Sequence, residues 1–173
     1  MIKTIRHIDI EIDKLTNSIE NSISGDVFDT DIIRFKKNDK SYIKTNWLFD
    51  WKKELNDSSK MVYKLVIVNN PKIIQGLICL SDNHDHIFMH LIENAKFNKG
   101  KNKLYIGVAG NLVAFACKES FSKGYDGIVS FIAKSKLIKH YEDTLGAKIF
   151  HENQMYIDTS ESIKLVNRYF KNS

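Results

Sequence analysis

Residues Leu104 to Leu112 read LYIGVAGNL. Leu104, Tyr105 and Ile106 precede a turn over Gly107 to Gly110. NLVAFACKESF then continues as an amphipathic helix that Gly124 stops. A strand, a glycine-containing turn and a helix in that order expose several backbone N–H groups at the helix N-terminus, where they and the helix dipole favour a phosphate. Two glycines before a helix also suit a plain tight turn, so the surrounding sequence has to separate the two readings.

Downstream the pattern is regular. GIVSFIA from Gly127 is a short, continuously apolar strand, buried on both faces. Leu137, Ile138, Tyr141 and Leu145 then recur at helical spacing until Gly146. AKIF and QMYID give two more strands, and Asp158 with Glu161 resembles a capping box for a last helix carrying Ile163, Val166 and Phe170. Upstream, YKLVIV and KIIQGLICL form a hairpin around Asn69, Asn70 and Pro71. A second turn, Ser81 to His86, leads into the strand IFMHLIENA, and NKGKNK follows as a polar loop.

The first third is harder to read. Ile8, Ile10 and Ile12 alternate with acids, which predicts a first strand over His7 to Ile12. Lys14 to Asp39 predicts a short helix and a connection, with a turn at Gly25 and Asp26. Trp47, Phe49 and Trp51 crowd a segment ending in WKKEL, read as a helix docking on the core, with a cleft-lining role for the tryptophans left open.

The chain's 173 residues, 43% hydrophobic and 27% charged, suit one folded domain over 1–173, with no linker, repeat or disordered stretch. The apolar runs are too short for a membrane span and the first residues lack a signal-peptide core, so a cytoplasmic location without membrane contact is expected. Cys79 and Cys117 sit in apolar runs and read as core. The net charge of +5 is spread along the chain and suits a phosphorylated ligand without requiring nucleic acid.

In this order of elements the chain resembles the GNAT superfamily of N-acetyltransferases. Its cofactor motif is Gln or Arg, two residues, Gly, one residue, Gly or Ala, then a helix; the register here is Leu104, Gly107 and Ala109, with Gly110, Asn111 and Leu112 following. HYEDTLGAKIF from His140 partly matches the family's second signature. The likeness runs from about Val62 to Asp158. It departs at Leu104, which has no side-chain donor, in a long loop from Ala95 to Lys103, and at Ala147, where an aromatic is common. The resemblance implies an α/β fold with a central, mostly antiparallel sheet flanked by helices.

It also implies acetyl-coenzyme A as acetyl donor, an amine acceptor (a small molecule, a protein or an aminoacyl-tRNA), direct transfer without a metal, and room for a homodimer. The pyrophosphate would lie on Ile106, Gly107, Val108, Ala109, Gly110 and Asn111. The pantetheine amides would pair beyond Ile92, near Asn94 and Ser130, with Lys134 and Ser135 close by. Tyr141 stands where the family's general acid stands, although a core tyrosine fits the same position. Glu93 is the candidate base and His90 the runner-up; on a regular strand they would point to opposite faces, and a bulge would change that. The alternative reading is a non-catalytic acyl-coenzyme A binding or sensing module. Asp82, His84, Asp85, His86 and His90 form the cluster nearest to a metal site, but they straddle a turn without a partner cluster, so no metal is assigned.

Overall fold

A computed structural model describes residues 7–14, 18–36, 38–39 and 46–170. Its largest feature is a seven-stranded sheet. The short strands β1 (Ile19–Asn21) and β2 (Val27–Phe28) precede β3 (Thr30–Phe35), helix α1 (Trp51–Asn56), β4 (Met61–Ile67), β5 (Gly76–Asp82) and β6 (Ile87–Asn94). After them come β7 (Tyr105–Ile106), α2 (Val108–Ser122), β8 (Val129–Ile132), α3 (Ile138–Leu145), β9 (Lys148–His151), β10 (Gln154–Ile157) and α4 (Thr159–Tyr169). The large sheet runs β3-β4-β5-β6-β8-β10-β9, and β2-β1-β7 form a small second sheet. All pairings in the large sheet are antiparallel except β6 with β8, which α2 connects as a crossover.

The alternation of side chains explains the layers. Ile78 and Leu80 on β5 face a large core with Val108, Leu112 and Val113 of α2 and Leu165 of α4. Leu77 and Cys79 point to the other face, into a smaller core with Phe35, Trp51, Leu55 and Leu91. β5 is therefore apolar and buried from Gly76 to Leu80, where both of its faces are covered. Trp51 is 1% exposed and α1 docks on the core, as WKKEL predicts. Asp50 caps it by accepting from the Lys53 N–H at 3.2 Å.

Three expectations need correction. The described part of Lys14–Asp39 holds β1, β2 and β3 instead of a short helix; Asn, Ser, Thr and Asp there serve turns such as the one at Gly25, where φ is +76°. Residues His7 to Ile12 are extended, but they make only an isolated parallel bridge, Ile8 to Ala133, and lie beside β8 instead of forming a first strand of the large sheet. On α4 the buried stripe is Ser162, Leu165 and Tyr169, while Ile163 is 46% exposed.

Candidate active site

Strands β6 and β8 run side by side only from Ile87, Phe88 and Met89 against Val129, Ser130 and Phe131. Beyond that point β6 continues to Asn94 without β8, so a gap opens at one end of the sheet. A bulge sits at the same place: Leu80 pairs with Met89 but Cys79 pairs with Leu91, leaving His90 as the extra residue. The bulge turns His90, Leu91 and Glu93 toward the α1 face and leaves Ile92 in the α2 core. Both polar candidates thus lie on one side of the sheet. His90 Nε2 is 2.8 Å from Ser81 Oγ, and its ring meets Phe88 edge-on.

Glu93 is 3% exposed and held by four donors. The Leu48 and Phe49 amides donate to it at 2.7 and 3.1 Å, Trp51 Nε1 at 2.9 Å, and the Lys99 ammonium at 2.7 Å. An ionised carboxylate has about four lone-pair sites, so this one is fully used in tying the approach to α1 onto β6. Next to it Asn94 is 8% exposed, and its Oδ1 is buried with no hydrogen-bond partner. Both residues line a cavity of about 310 Å³ with Asp9, Ile10, Leu48 and Lys103.

Gly107 opens α2 in the left-handed conformation, with φ +94° and ψ 0°, which only glycine adopts readily. The turn carries an anion, and that anion belongs to the chain itself: the Gly107 N–H donates to Asp13 Oδ1 at 3.1 Å, while Asp13 Oδ2 pairs with Lys103 at 3.1 Å. Asn111 is 1% exposed and binds backwards, its Nδ2 donating to the Gly107 carbonyl at 2.7 Å and the Ser18 carbonyl at 3.2 Å. Gly110 serves a close approach. A Cβ there would lie 2.1 Å from the Tyr169 hydroxyl, which donates to the Lys14 carbonyl at 3.1 Å. Val108 and Ala109 are buried, and Ile106 pairs with Glu20 across the small sheet.

Tyr141 is fully buried, its ring edge-on to Phe131. Its hydroxyl donates to the Ile10 carbonyl at 2.6 Å and accepts from the Ile10 N–H at 3.1 Å. Burial, the largest cause, raises its pKa well above the ordinary tyrosine value, against the Ile10 hydrogen bond; Asp9 and Glu11 add to the rise. Its neighbour His140 accepts from the Ile12 N–H through Nε2 at 2.8 Å.

Comparison with solved structures decides what this arrangement of strands is. The chain superposes on the KacTA–DNA complex with a TM-score of 0.54, at 14% identity over 79% of this chain and 97% of the other. A chimera of the Vibrio cholerae spermidine N-acetyltransferase SpeG with hSSAT gives a TM-score of 0.51, at 15% identity over 78% of this chain and 98% of the other. The chain has the GNAT fold. No family model and no curated sequence matches it.

Within the GNAT fold the candidate residues fall into two groups. Ile92, Glu93 and Asn94 line the gap, with Tyr141 reaching its far side through Ile10, and at the start of α2 Val108 lies against Gly76, the strand partner of Asn94. Ser130 lies outside it, in the zone where β8 is still paired on both sides with Phe88 and Tyr156. Ser135 is an exposed residue of a turn after β8. Asp13, Lys103, His140 and Tyr169 are contacts that motif reading misses. Asp13 belongs to a row of alternating acids, and nothing local marks it as the one that reaches a turn 94 residues away.

Proposed function

We propose that this chain is a single-domain, cytoplasmic N-acetyltransferase of the GNAT fold that transfers an acetyl group from acetyl-coenzyme A to a primary amine. The observation that carries the proposal is the parting of β6 from β8 beyond Met89 and Phe131, next to a left-handed Gly107 that opens α2. An unpaired strand edge suits the amides of a pantetheine chain, and a helix N-terminus suits pyrophosphate. The orphaned Asn94 Oδ1 gives one of those amides an acceptor, so the residues fit the donor substrate. Leu104 offers no side-chain donor, which leaves the backbone at the start of α2 to act, ahead of Asn111, whose N–H already donates to the Gly107 carbonyl at 3.1 Å.

Acetyl-coenzyme A supplies the thioester. The amine nitrogen forms a bond to the carbonyl carbon, the carbon–sulfur bond breaks, the amine loses a proton and the departing thiolate gains one. Tyr141 is the donor of that last proton, since a tyrosine hydroxyl is protonated at neutral pH. Glu93 is assigned to positioning, because its lone pairs already bind the strip from Leu48 to Trp51. It shapes the acceptor side of the cavity, and the amine's proton leaves to solvent there. Holding both substrates at one gap supplies much of the acceleration.

The non-catalytic binding module remains as a second reading, favoured by one observation: the Tyr141 hydroxyl is bound to Ile10. Titration calorimetry with acetyl-coenzyme A and thiol release with a panel of amines, aminoacyl-tRNA included, separate the two. Heat of binding with amine-dependent thiol release supports the enzyme. Binding without release supports the module, and no binding at submillimolar concentration by the wild type and by Asp13→Ala alike removes both.

A further inference from the structure

We infer that residues Ile8 to Lys14 are an autoinhibitory arm that occupies the acyl-coenzyme A groove and must leave before the ligand binds. The inference rests on the proposed use of that groove. Ile8 docks where β6 leaves β8: its N–H donates to the Ile132 carbonyl at 2.7 Å, and its carbonyl accepts from the Lys134 N–H at 3.0 Å. Two residues on, Ile10 exchanges both backbone groups with the Tyr141 hydroxyl. Two further on, the Ile12 N–H donates to His140. The segment then ends in a carboxylate, Asp13, on the Gly107 amide, and Tyr169 fixes the Lys14 carbonyl.

An extended line of amides followed by an anion at a helix N-terminus is the chemistry of pantetheine followed by pyrophosphate. The arm offers the same groups, in the same order, to β8, α3 and α2. Ile8 and Ile12 are 3% and 5% exposed, so the arm is seated in the core and not resting on the surface. The Asp13 carboxylate also lies within reach of Lys103, a cation that a phosphate would otherwise attract. A ligand on the same path competes with every one of these contacts. Its apparent affinity is lowered by the fraction of molecules whose groove is occupied.

The test measures acetyl-coenzyme A binding by calorimetry on full-length chains whose folding is checked by thermal melts. Asp13→Ala removes the anion from Gly107, and Ile10→Pro removes the N–H that donates to Tyr141. Each is expected to tighten binding by about fivefold or more through a larger fraction of open grooves. In the third chain, Ile8→Cys with Ala133→Cys, the substituted residues are neighbours across the parallel bridge, so oxidation locks the arm in place. Acetyl-coenzyme A carries no free thiol to reduce that disulfide. Loss of binding on oxidation and its return with dithiothreitol support the arm. Equal binding by the oxidised and reduced forms, or no tightening in both single variants, overturns it while leaving the groove assignment intact. Absence of binding from all chains, reduced form included, overturns the groove assignment itself.

Discussion

Trp51 Nε1 donates to the buried carboxylate of Glu93 at 2.9 Å, joining the first residue of α1 to the free end of β6. Removal of the carboxylate leaves that donor in an apolar pocket, since Trp51 is 1% exposed, whereas Lys99 is 39% exposed and regains water. Glu93→Ala is therefore expected to cost about 2–3 kcal/mol, the penalty of stranding buried donors and not that of a surface ion pair. Trp51→Phe keeps most of the packing and is expected to cost about 1–2 kcal/mol. Urea unfolding of the two single variants and the double variant measures both costs. A double variant that shows simple additivity contradicts the coupling.

Gly110 is held to glycine by the close approach of Tyr169 from α4. An added Cβ meets the Tyr169 hydroxyl at 2.1 Å and its ring carbon at 2.8 Å. Gly110→Ala is expected to destabilise the fold by about 1–3 kcal/mol, the range for overpacking a filled site. Tyr169→Phe in the same chain should restore part of it, because the closest atom is gone. Thermal melts of the single and double variants check this, and an unaltered melting temperature in Gly110→Ala would contradict the packing.

The sheet and helices from Met61 onward are legible in the sequence because each local signal agrees with its neighbours. YKLVIV and KIIQGLICL pair as the turn residues predict, and Gly124 and Gly146 end helices in left-handed turns. Asp158 caps α4 by accepting from the Glu161 N–H at 2.9 Å. The buried stripe of α4 is less legible, since hydropathy selects Ile163 while space selects Ser162. A Cβ on Gly127 would lie 2.7 Å from Ser162 Oγ, so α4 comes too close to that turn for a large side chain.

The candidate site is legible by position but not by occupancy. Periodicity shows Ile8, Ile10 and Ile12 as one face of an extended segment, yet strand geometry alone does not say which strand it joins. Its neighbours, Ala133, Tyr141 and Gly107, lie between 94 and 131 residues away, and they are reached only through the complete fold. The Gly107 turn is correctly placed at the start of α2, but a sequence motif cannot show that a carboxylate of the same chain already binds it.

Alkaline pH should unfold the protein through two buried acids. Burial pushes the Cys117 thiol from its ordinary 9.0 up to about 12, and it also raises Tyr141 above 10.0. In both cases the folded state favours the neutral form. The stability each contributes is complete below its unfolded value and is lost as pH rises toward its folded value. A fall in melting temperature should start near pH 9 for Cys117 and above pH 10 for Tyr141. Cys117→Ala should remove the earlier part of the fall, and Tyr141→Phe the later part. Curves of identical shape in wild type and both variants would contradict the assignment.

Tyr141→Phe also separates two roles that share one hydroxyl. As proton donor to the thiolate, Tyr141 is needed only in the transition state, and its loss should lower kcat by about 10²-fold. As a clasp on Ile10, it holds the arm in the groove, and its loss should tighten acetyl-coenzyme A binding. The two effects move different constants, so a lower kcat with a lower KM for acetyl-coenzyme A is expected when both roles hold. A lower KM with unchanged kcat would leave the clasp alone and remove Tyr141 from the chemistry. A lower kcat with unchanged KM would do the reverse, because a hydroxyl that releases Ile10 without altering affinity is not holding the arm. Steady-state thiol release, measured with acetyl-coenzyme A varied at saturating amine, gives both constants in one experiment.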